Sequence, residues 1–389
     1  MKICGCIAEY NPLHLGHIKH IDYIKNTLGA QKLIVIMSGN FTQRGEPAVL
    51  NKFTRAKQAI IAGADMVIEL PTVFACGNAE VFAKGSINIL DSLNIIDGVC
   101  FGVESGEKED YISLAQFMNK ETKEFKNKLK EFLNQGLSFA KARFETVKAL
   151  NSNFNQQLLS SPNNILGIEY TKALLKNQSK IDIFPMQRDG NHNDKILKNG
   201  ITSASSIREA LKEGRKKKLK KNMPSFVYNE LQDYPFAFEK IIMSSAITAP
   251  LEKLALVPDC TEGLENRIKA LVKDNKNLDN LIEKVATKRY TETRIRRILT
   301  ANLLKITQSF VDDCLNSQLY AKVLAVSEQS KNLISLVANN SSIPILTRKS
   351  DCALLKKTAL QCFEIDTMAN DLYNLATNDK QNENNMIIV

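Results

Sequence analysis

The chain lacks several features that mark particular classes of protein. It contains no tryptophan, and no apolar run approaches the roughly 18–20 residues of a membrane-spanning helix. The apolar start, Met1–Ile7, is soon interrupted by Glu9 and Asn11, which excludes a signal peptide. Eight cysteines are scattered without a CxxC pair. We therefore expect reduced, buried thiols in a cytoplasmic protein, with no membrane partner.

Histidine is also scarce, and positive charge is unevenly distributed. Only four histidines occur in 389 residues, yet His14, His17 and His20 fall within one seven-residue stretch. Lysine and arginine exceed aspartate and glutamate by 52 − 42 = 10. Residues 201–300 alone carry 20 basic and 13 acidic residues, so the excess is concentrated there. A local basic excess is compatible with an acidic partner but does not determine the fold.

The first half of the sequence alternates between two patterns. Short apolar segments typical of buried strands cover residues 2–8, 32–37, 66–70, 98–103 and 181–186. Helical periodicity covers residues 17–28, 52–62, 79–93 and 165–175 between them. This alternation predicts an α/β fold with a Rossmann-like, doubly wound parallel sheet. After a basic run at 215–221 the sequence is mainly helical, so we predict a catalytic domain over 1–215 and a partly basic helical domain over 216–389.

A His-x-Gly-His motif follows the first predicted strand. His14, Gly16 and His17 stand where the strand turns into a helix. A helix N-terminus offers free N–H groups and a partial positive charge, and two histidines three residues apart can donate hydrogen bonds to an α-phosphate. Three histidines at this spacing could instead bind a metal ion, or lie on the surface without a function.

A second candidate anion site begins near residue 202. Ser203 and Ser205 open a predicted helix, and Arg208 follows in its first turn. Hydroxyl groups, free N–H groups and a guanidinium together favour an anion. The alternative is an ordinary serine cap beside a surface arginine.

The two motifs together resemble the nucleotidylyltransferase superfamily that includes class I aminoacyl-tRNA synthetases. Ser203, Ser205, Ile207 and Arg208 match its second motif, and Ala204 departs from it. Residues 9–17, 38–71, 161–170 and 202–211 further resemble the bacterial tRNA(Met) cytidine acetate ligase family. That resemblance implies that ATP and acetate form acetyl-adenylate and that the acetyl group passes to N4 of the wobble cytidine of elongator tRNA(Met). The alternative is a small-molecule adenylyl- or cytidylyltransferase of coenzyme or lipid-precursor synthesis.

The resemblance also implies residue roles. His14 and His17 would stabilise the α-phosphate as the catalytic pair. Beside ATP we expect Mg²⁺ but predict no protein metal site: Glu9 could face Mg²⁺ or the ribose, or be a solvated turn residue. Either Asn163 or Asn164 would contact the nucleotide. The predicted ATP-binding residues are Ile7, Ala8, Glu9, Tyr10, Asn11, Pro12, Leu13, Leu15, Gly16, Ile18, Lys19, His20, Gly102, Asn163, Asn164, Arg188, Ser203, Ser205 and Arg208.

Basic residues elsewhere are candidates for contact with RNA. Arg44, Lys52 or Arg55 could hold the pyrophosphate or the tRNA backbone. The run at 215–221 is another candidate, and each basic cluster could equally be a solvated surface. We expect no DNA partner. The main tRNA-binding prediction comprises Lys288, Arg289, Tyr290, Arg294, Arg296 and Arg297.

Overall fold

The computed structural model describes residues 1–151, 154–188, 200–235, 237–275, 277–377, 379–381 and 386–389. The strands are β1 (Ile3–Ala8), β2 (Lys32–Ser38), β3 (Met66–Leu70), β4 (Gly98–Val103), β5 (Asp182–Gln187), β6 (Ala321–Val326), β7 (Ile345–Leu346) and β8 (Ile387–Ile388). The helices are α1 (Leu15–Asp22), α2 (Lys52–Ile61), α3 (Thr72–Ala75), α4 (Ala79–Ser92), α5 (Lys108–Asn119), α6 (Lys123–Asn134), α7 (Phe139–Leu150), α8 (Pro162–Lys176), α9 (Ala204–Lys212), α10 (Ser225–Tyr228), α11 (Ala237–Thr248), α12 (Leu251–Leu254), α13 (Leu264–Val272), α14 (Leu278–Val285), α15 (Glu292–Leu303), α16 (Gln308–Leu315), α17 (Asn332–Asn340) and α18 (Lys357–Thr377).

Short 3₁₀ segments and local caps complete these elements. A π-helical turn, Tyr23–Thr27, extends α1, and a 3₁₀ helix, Lys216–Lys221, follows α9. Asparagine side chains fix several helix starts. Asn51 accepts from the amide of Thr54 at 2.8 Å, so α2 begins directly after it. A side-chain oxygen at the cap satisfies an amide that has no partner within the helix.

The sheet confirms the predicted α/β class and adds three strands from the C-terminal half, β6, β7 and β8. Its strand order is β5-β4-β1-β2-β3-β6-β7, with β8 also paired to β6. Strands β1 to β5 are mutually parallel, and each lies within one residue of its predicted bounds. Strand β6, from the mainly helical C-terminal half, pairs antiparallel to β3. It satisfies hydrogen-bonding groups that would otherwise form an open sheet edge.

Helices cover both faces of the sheet, as a doubly wound fold requires. Alternate residues of a strand point to opposite faces. On one face, Phe101 of β4 packs among apolar residues of α3, α4, α5 and α8. On the other face, Cys6 of β1 and Cys100 of β4 pack among apolar residues of α1, α2 and α9. These two faces meet at the carboxyl ends of the strands, where ligands bind in such sheets.

A buried ion cluster joins β6 to the rest of the sheet. The ammonium of Lys52 lies 2.7 Å from Glu69, and that of Lys322 on β6 lies 3.3 Å from the same carboxylate. All three side chains are buried. Removing one partner would leave an uncompensated buried charge, so the cluster fixes β6 against β3.

Two expectations from composition concern cysteines and membranes. All eight cysteines are free thiols, and seven of them are buried, as predicted. Among the described residues, no helix combines the length and apolar character needed to span a bilayer.

Candidate active site

A cleft of about 230 Å³ opens at the carboxyl ends of β1, β4 and β5. The N-termini of α1 and α9 both point towards it, and so does the N-terminus of α8. Its lining includes fifteen of the residues predicted from sequence to act on ATP: Ile7, Ala8, Glu9, Tyr10, Asn11, His14, Gly16, His17, Lys19, His20, Gly102, Asn163, Arg188, Ser205 and Arg208.

The two motif histidines form the cap of α1. Nδ1 of His14 accepts from the amide of Gly16 at 3.0 Å, and Nδ1 of His17 accepts from the amide of His14 at 3.3 Å. Their rings stack with centroids 3.8 Å apart. Because each Nδ1 is an acceptor, a neutral ring carries its proton on Nε2. The capping geometry therefore gives both rings an Nε2–H donor at a helix N-terminus, which suits a phosphate.

The second motif lies opposite the first across the cleft, although the two are about 190 residues apart in the sequence. Ser203 caps α9 and accepts from the amide of Ser206 at 3.1 Å. Arg208 donates from Nη1 to the carbonyl of Asn11 at 2.9 Å and lies 3.4 Å from the hydroxyl of Ser205. The Arg208 contact therefore ties α9 to the loop before α1, and the two anion-binding motifs face one cleft.

Six predicted nucleotide residues do not line the cleft: Pro12, Leu13, Leu15, Ile18, Asn164 and Ser203. Leu13 is a buried core residue. Asn164 is buried too, and its amide accepts from the amide of Glu104 and donates to the hydroxyl of Ser105, both at 2.9 Å. Asn163 lines the cleft and donates to the Glu104 carboxylate at 2.5 Å. Of the two asparagines, only Asn163 is placed to touch a ligand directly.

Gly102 and Arg188 form the wall at the ends of β4 and β5. A Cβ on Gly102 would lie 2.8 Å from Cδ of Arg188. The missing side chain therefore allows the arginine to cross the end of β4. Burial lowers the pKa of Arg188, while Glu104 acts in the opposite direction. The arginine is held in the cleft as a partly desolvated cation, which strengthens any hydrogen bond that it donates to a ligand.

The three cations suggested for the pyrophosphate have different positions. Arg44 lines the cleft, and burial and Arg208 lower its pKa. Lys52 belongs to the buried Glu69 cluster. Arg55 is fully buried and donates to the carbonyls of Glu9 at 2.6 Å, Ser38 at 3.0 Å and Leu50 at 2.9 Å, and also to that of Gly39. Lys52 and Arg55 therefore build the loops around the cleft, and only Arg44 of the three can reach a ligand.

His20 differs chemically from the other two histidines. Its Nδ1 lies 3.8 Å from the thiol of Cys6, and its Nε2 lies 3.3 Å from that of Cys100. Burial and then the charge of Arg188 lower the pKa of His20 to about 4. The ring is therefore neutral at neutral pH. No group of three or more metal-ligating side chains occurs in the described part of the chain, so the alternative of a three-histidine metal site has no geometric support.

The lowered pKa of His20 predicts a pH-dependent stability. Below the unfolded value of roughly 6.5, the unfolded chain binds a proton that the folded chain excludes until about pH 4. The contribution of neutral His20 to the free energy of unfolding is therefore fully present above that unfolded value and is lost as the pH falls towards 4. Between roughly pH 7 and 4.5, we expect the parent protein to lose about 2–3 kcal/mol more stability than the His20→Gln variant, because glutamine does not titrate. Urea unfolding at both pH values measures this difference, and equal losses in both proteins would contradict it.

Helix α15, which carries the main tRNA-binding prediction, packs against the rim of the cleft. Gly45 has φ +69°, and a Cβ there would lie 2.5 Å from the amide nitrogen of Arg297. The carbonyl of Gly45 accepts from the hydroxyl of Thr300 at 2.8 Å. Glu46 lies between two arginines, 3.5 Å from Arg208 and 3.7 Å from Arg296. The phosphate motif and the basic helix are therefore in contact through one short loop.

Within the described residues, each predicted tRNA-binding side chain except the exposed Lys288 has an intramolecular partner. Arg289 pairs with Glu262, whose carboxylate also accepts from the Tyr290 hydroxyl at 2.6 Å. Arg294 donates to the carbonyl of Asp259 and stacks over the Tyr290 ring at 5.0 Å. Arg297 lies 3.1 Å from the Asp259 carboxylate. These contacts fix the turn at 259–262, and a role in binding RNA stays a prediction.

The lysine-rich 3₁₀ helix lies beside the motif histidines. Lys217, Lys218, Lys220 and Lys221 are exposed. The segment ends at Asn222, whose carbonyl accepts from the amide of Leu15 at 3.1 Å. This contact joins the basic run to the first residue of α1. Positive charge therefore flanks the cleft on this side as well as at α15.

Apolar lining residues were missed by the sequence analysis. Phe82 of α4, Phe101 of β4 and the α8 residues Leu166 and Tyr170 all face the cleft. The spacing of Pro162, Leu166 and Tyr170 places them on one helical face, and Asn163 lies next to it. This four-residue spacing, next to the candidate nucleotide contact Asn163, was the sequence signal that could have predicted that Leu166 and Tyr170 line the cleft.

Comparison with known proteins gives a consistent result over the whole length. A family model described as HIGH Nucleotidyl Transferase matches residues 1–386. The tRNA(Met) cytidine acetate ligase of Clostridium novyi is 38% identical over 96% of this chain and 95% of its own. That of Thermoanaerobacter sp. is 39% identical over 97% and 96%. The crystal structure of apo Thermotoga maritima TmcAL superposes with TM-score 0.94 at 27% identity, and the same protein bound with alpha-thio ATP with TM-score 0.91, each over the full length of both chains.

Proposed function

This chain belongs to the HIGH nucleotidyl transferase family and to the tRNA(Met) cytidine acetate ligases within it, and we propose that it acetylates N4 of the wobble cytidine of elongator tRNA(Met). ATP and acetate would first form acetyl-adenylate and pyrophosphate, and the acetyl group would then move to the cytidine with release of AMP. The observation that carries the proposal is full-length similarity to these ligases together with the convergence of both phosphate motifs on one cleft.

The first step fits the chemistry of the two helix N-termini. An acetate oxygen attacks the α-phosphorus, and the bond to the pyrophosphate breaks without a proton transfer. Negative charge grows on the α-phosphate oxygens during this step. The Nε2–H groups of His14 and His17 and the guanidinium of Arg208 are placed to stabilise that charge. The cation-lined part of the cleft near Arg44 suits the leaving pyrophosphate.

The remaining lining residues suit the nucleoside and its metal ion. We assign Gly102 and Arg188, which form the wall at the ends of β4 and β5, to the adenosine side, together with Asn163 at the N-terminus of α8. Mg²⁺ usually binds through phosphates and one or two carboxylates. Among the described residues that line the cleft, Glu9 is the one carboxylate, so it fits a metal that arrives on ATP. With tRNA and ATP as substrates, we assign the protein to the cytoplasm.

The direct test follows the acetyl group. The protein is incubated with ATP, labelled acetate and elongator tRNA(Met), and the label in the tRNA and the AMP formed are measured. We expect about one acetyl group per tRNA and one AMP per acetyl group, because each transfer consumes one adenylate. The same tRNA with uridine at the wobble position is the control and should stay unlabelled. A nucleotide retained on a small-molecule product, with no label in the tRNA, would instead indicate a small-molecule nucleotidylyltransferase.

A further inference from the structure

The cleft extends over both faces of the sheet, and the phosphate motifs use only one of them. His14 caps α1 and Arg208 lies on α9, and these two helices cover the face formed by Cys6 and Ala8. Ile7 and Phe101 point to the opposite face, beneath α4 and α8. We call the part of the cleft lined by Ile7, Phe82, Phe101, Leu166 and Tyr170 the α4–α8 lobe.

The α4–α8 lobe is lined at its inner end by buried aromatic side chains. Phe82 is 2% exposed and Tyr170 is 4% exposed, and the Phe101 and Tyr170 rings lie 5.7 Å apart. Leu166 is half-buried and forms its outer wall. A lobe lined by aromatic rings accommodates a short alkyl group and excludes a longer one, because close-packed rings leave little room to relax.

One polar group of the lobe has no partner. The Tyr170 side chain is 4% exposed and lines the cleft, and its hydroxyl makes no hydrogen bond with any residue in the described part of the chain, although it is not sealed from solvent. Burial, with Cys6 and Glu9, raises the pKa of Tyr170 well above its usual range, so the hydroxyl stays protonated and can donate. The hydroxyl is therefore an available donor on the cleft wall, placed to bind a ligand that carries an acceptor.

Charge at the entrance of the lobe is suited to a small anion. Glu9 is held by the amide of Gln43 at 2.7 Å, and Arg44 lines the cleft beside it. The arginine charge offsets that of Glu9. With Glu9 offset in this way, the apolar lobe opens into the part of the cleft where the two histidines offer donors to an anion.

We propose that the α4–α8 lobe binds the carboxylic acid substrate, with its methyl group among Phe82, Phe101 and Leu166 and one carboxylate oxygen accepting from the Tyr170 hydroxyl. The inference rests on the proposed function and adds the acid site and its selectivity. The second carboxylate oxygen then faces the α-phosphate, where it forms the P–O bond as pyrophosphate leaves. Phe82 and Leu166 limit the length of the acid. The competing occupant is the wobble base, but the apolar interior suits a methyl group better than a polar base.

The test uses ATP–pyrophosphate exchange without tRNA, with acetate, propionate and butyrate as probes. Leu166→Ala should raise the ratio of kcat/KM for propionate over acetate by about tenfold or more, because one methylene in an apolar pocket is worth about that factor. Leu166→Val should do the same to a smaller extent. Tyr170→Phe should raise the KM for acetate by about fivefold while the KM for ATP and the acid preference stay unchanged, since it removes one hydrogen bond.

Met186→Ala is the matched control, because Met186 lines the same cleft from the α1 face. It should leave the ratio between the acids unchanged. An equal change of that ratio in Met186→Ala and Leu166→Ala would overturn the inference. Unaltered exchange in the α4–α8 variants, combined with slower acetyl transfer to tRNA, would assign the lobe to the base and also overturn it. Absence of exchange with every acid in the parent protein would overturn the proposed function as well.

Discussion

His14→Asn is expected to lower the rate of acetyl-adenylate formation by about a hundred- to a thousandfold in a protein that remains folded. His14 has two separable tasks. Its Nδ1 accepts from the Gly16 amide and caps α1, and its Nε2 carries the donor for the phosphate. Asparagine is an effective helix cap but has no group at the Nε2 position. ATP–pyrophosphate exchange in the presence of acetate measures the loss.

His14→Ala is the matched comparison, because it removes the cap and the donor together. We expect it to lose as much exchange as His14→Asn and, in addition, about 1 kcal/mol of stability. Affinity for tRNA should change little in either variant, because the basic surfaces lie outside the histidine pair. Normal exchange in His14→Asn, with a defect only in His14→Ala, would show that His14 serves the fold and not the reaction.

The sequence predicted the first five strands and both phosphate motifs because these signals are local. Buried parallel strands appear as short β-branched runs, and His14, Gly16 and His17 lie within one turn. Strand β6 was not predicted as part of the sheet. Its pairing with β3 joins residues more than 250 positions apart, and nothing near Ala321 in the sequence specifies that partner.

Charged residues show a second limit of sequence analysis. Arg44, Lys52 and Arg55 are equivalent in composition, and all three were candidates for the phosphates. Only the fold separates them, because Lys52 meets Glu69 and Arg55 meets four backbone carbonyls. The arginines of α15 show the same effect. Their spacing predicted that Arg294 and Arg297 share one face of a helix. It could not predict that both contact Asp259 in the turn at 259–262, because that turn lies more than 30 residues earlier in the sequence.

Reversing the charge of the exposed lysine segment should separate RNA binding from activation. Changing Lys217, Lys218, Lys220 and Lys221 to Glu is expected to weaken binding of elongator tRNA(Met) by about a hundredfold or more and to reduce its salt dependence, since contacts to phosphate release counterions. Acetyl-adenylate formation should be unaffected, because these side chains point to solvent. Filter binding over a salt series and tRNA-free exchange measure the two effects.

The control for this change must carry the same difference in net charge. Lys331, Lys349, Lys356 and Lys357 are exposed and lie in the C-terminal region, where basic and acidic residues are balanced. Changing these four to Glu alters the net charge equally but leaves the segment next to α1 intact. If tRNA binds beside the cleft, only the first set should weaken it strongly. Equal losses in both sets would mean that overall charge, and not a docking surface beside His14, governs the association.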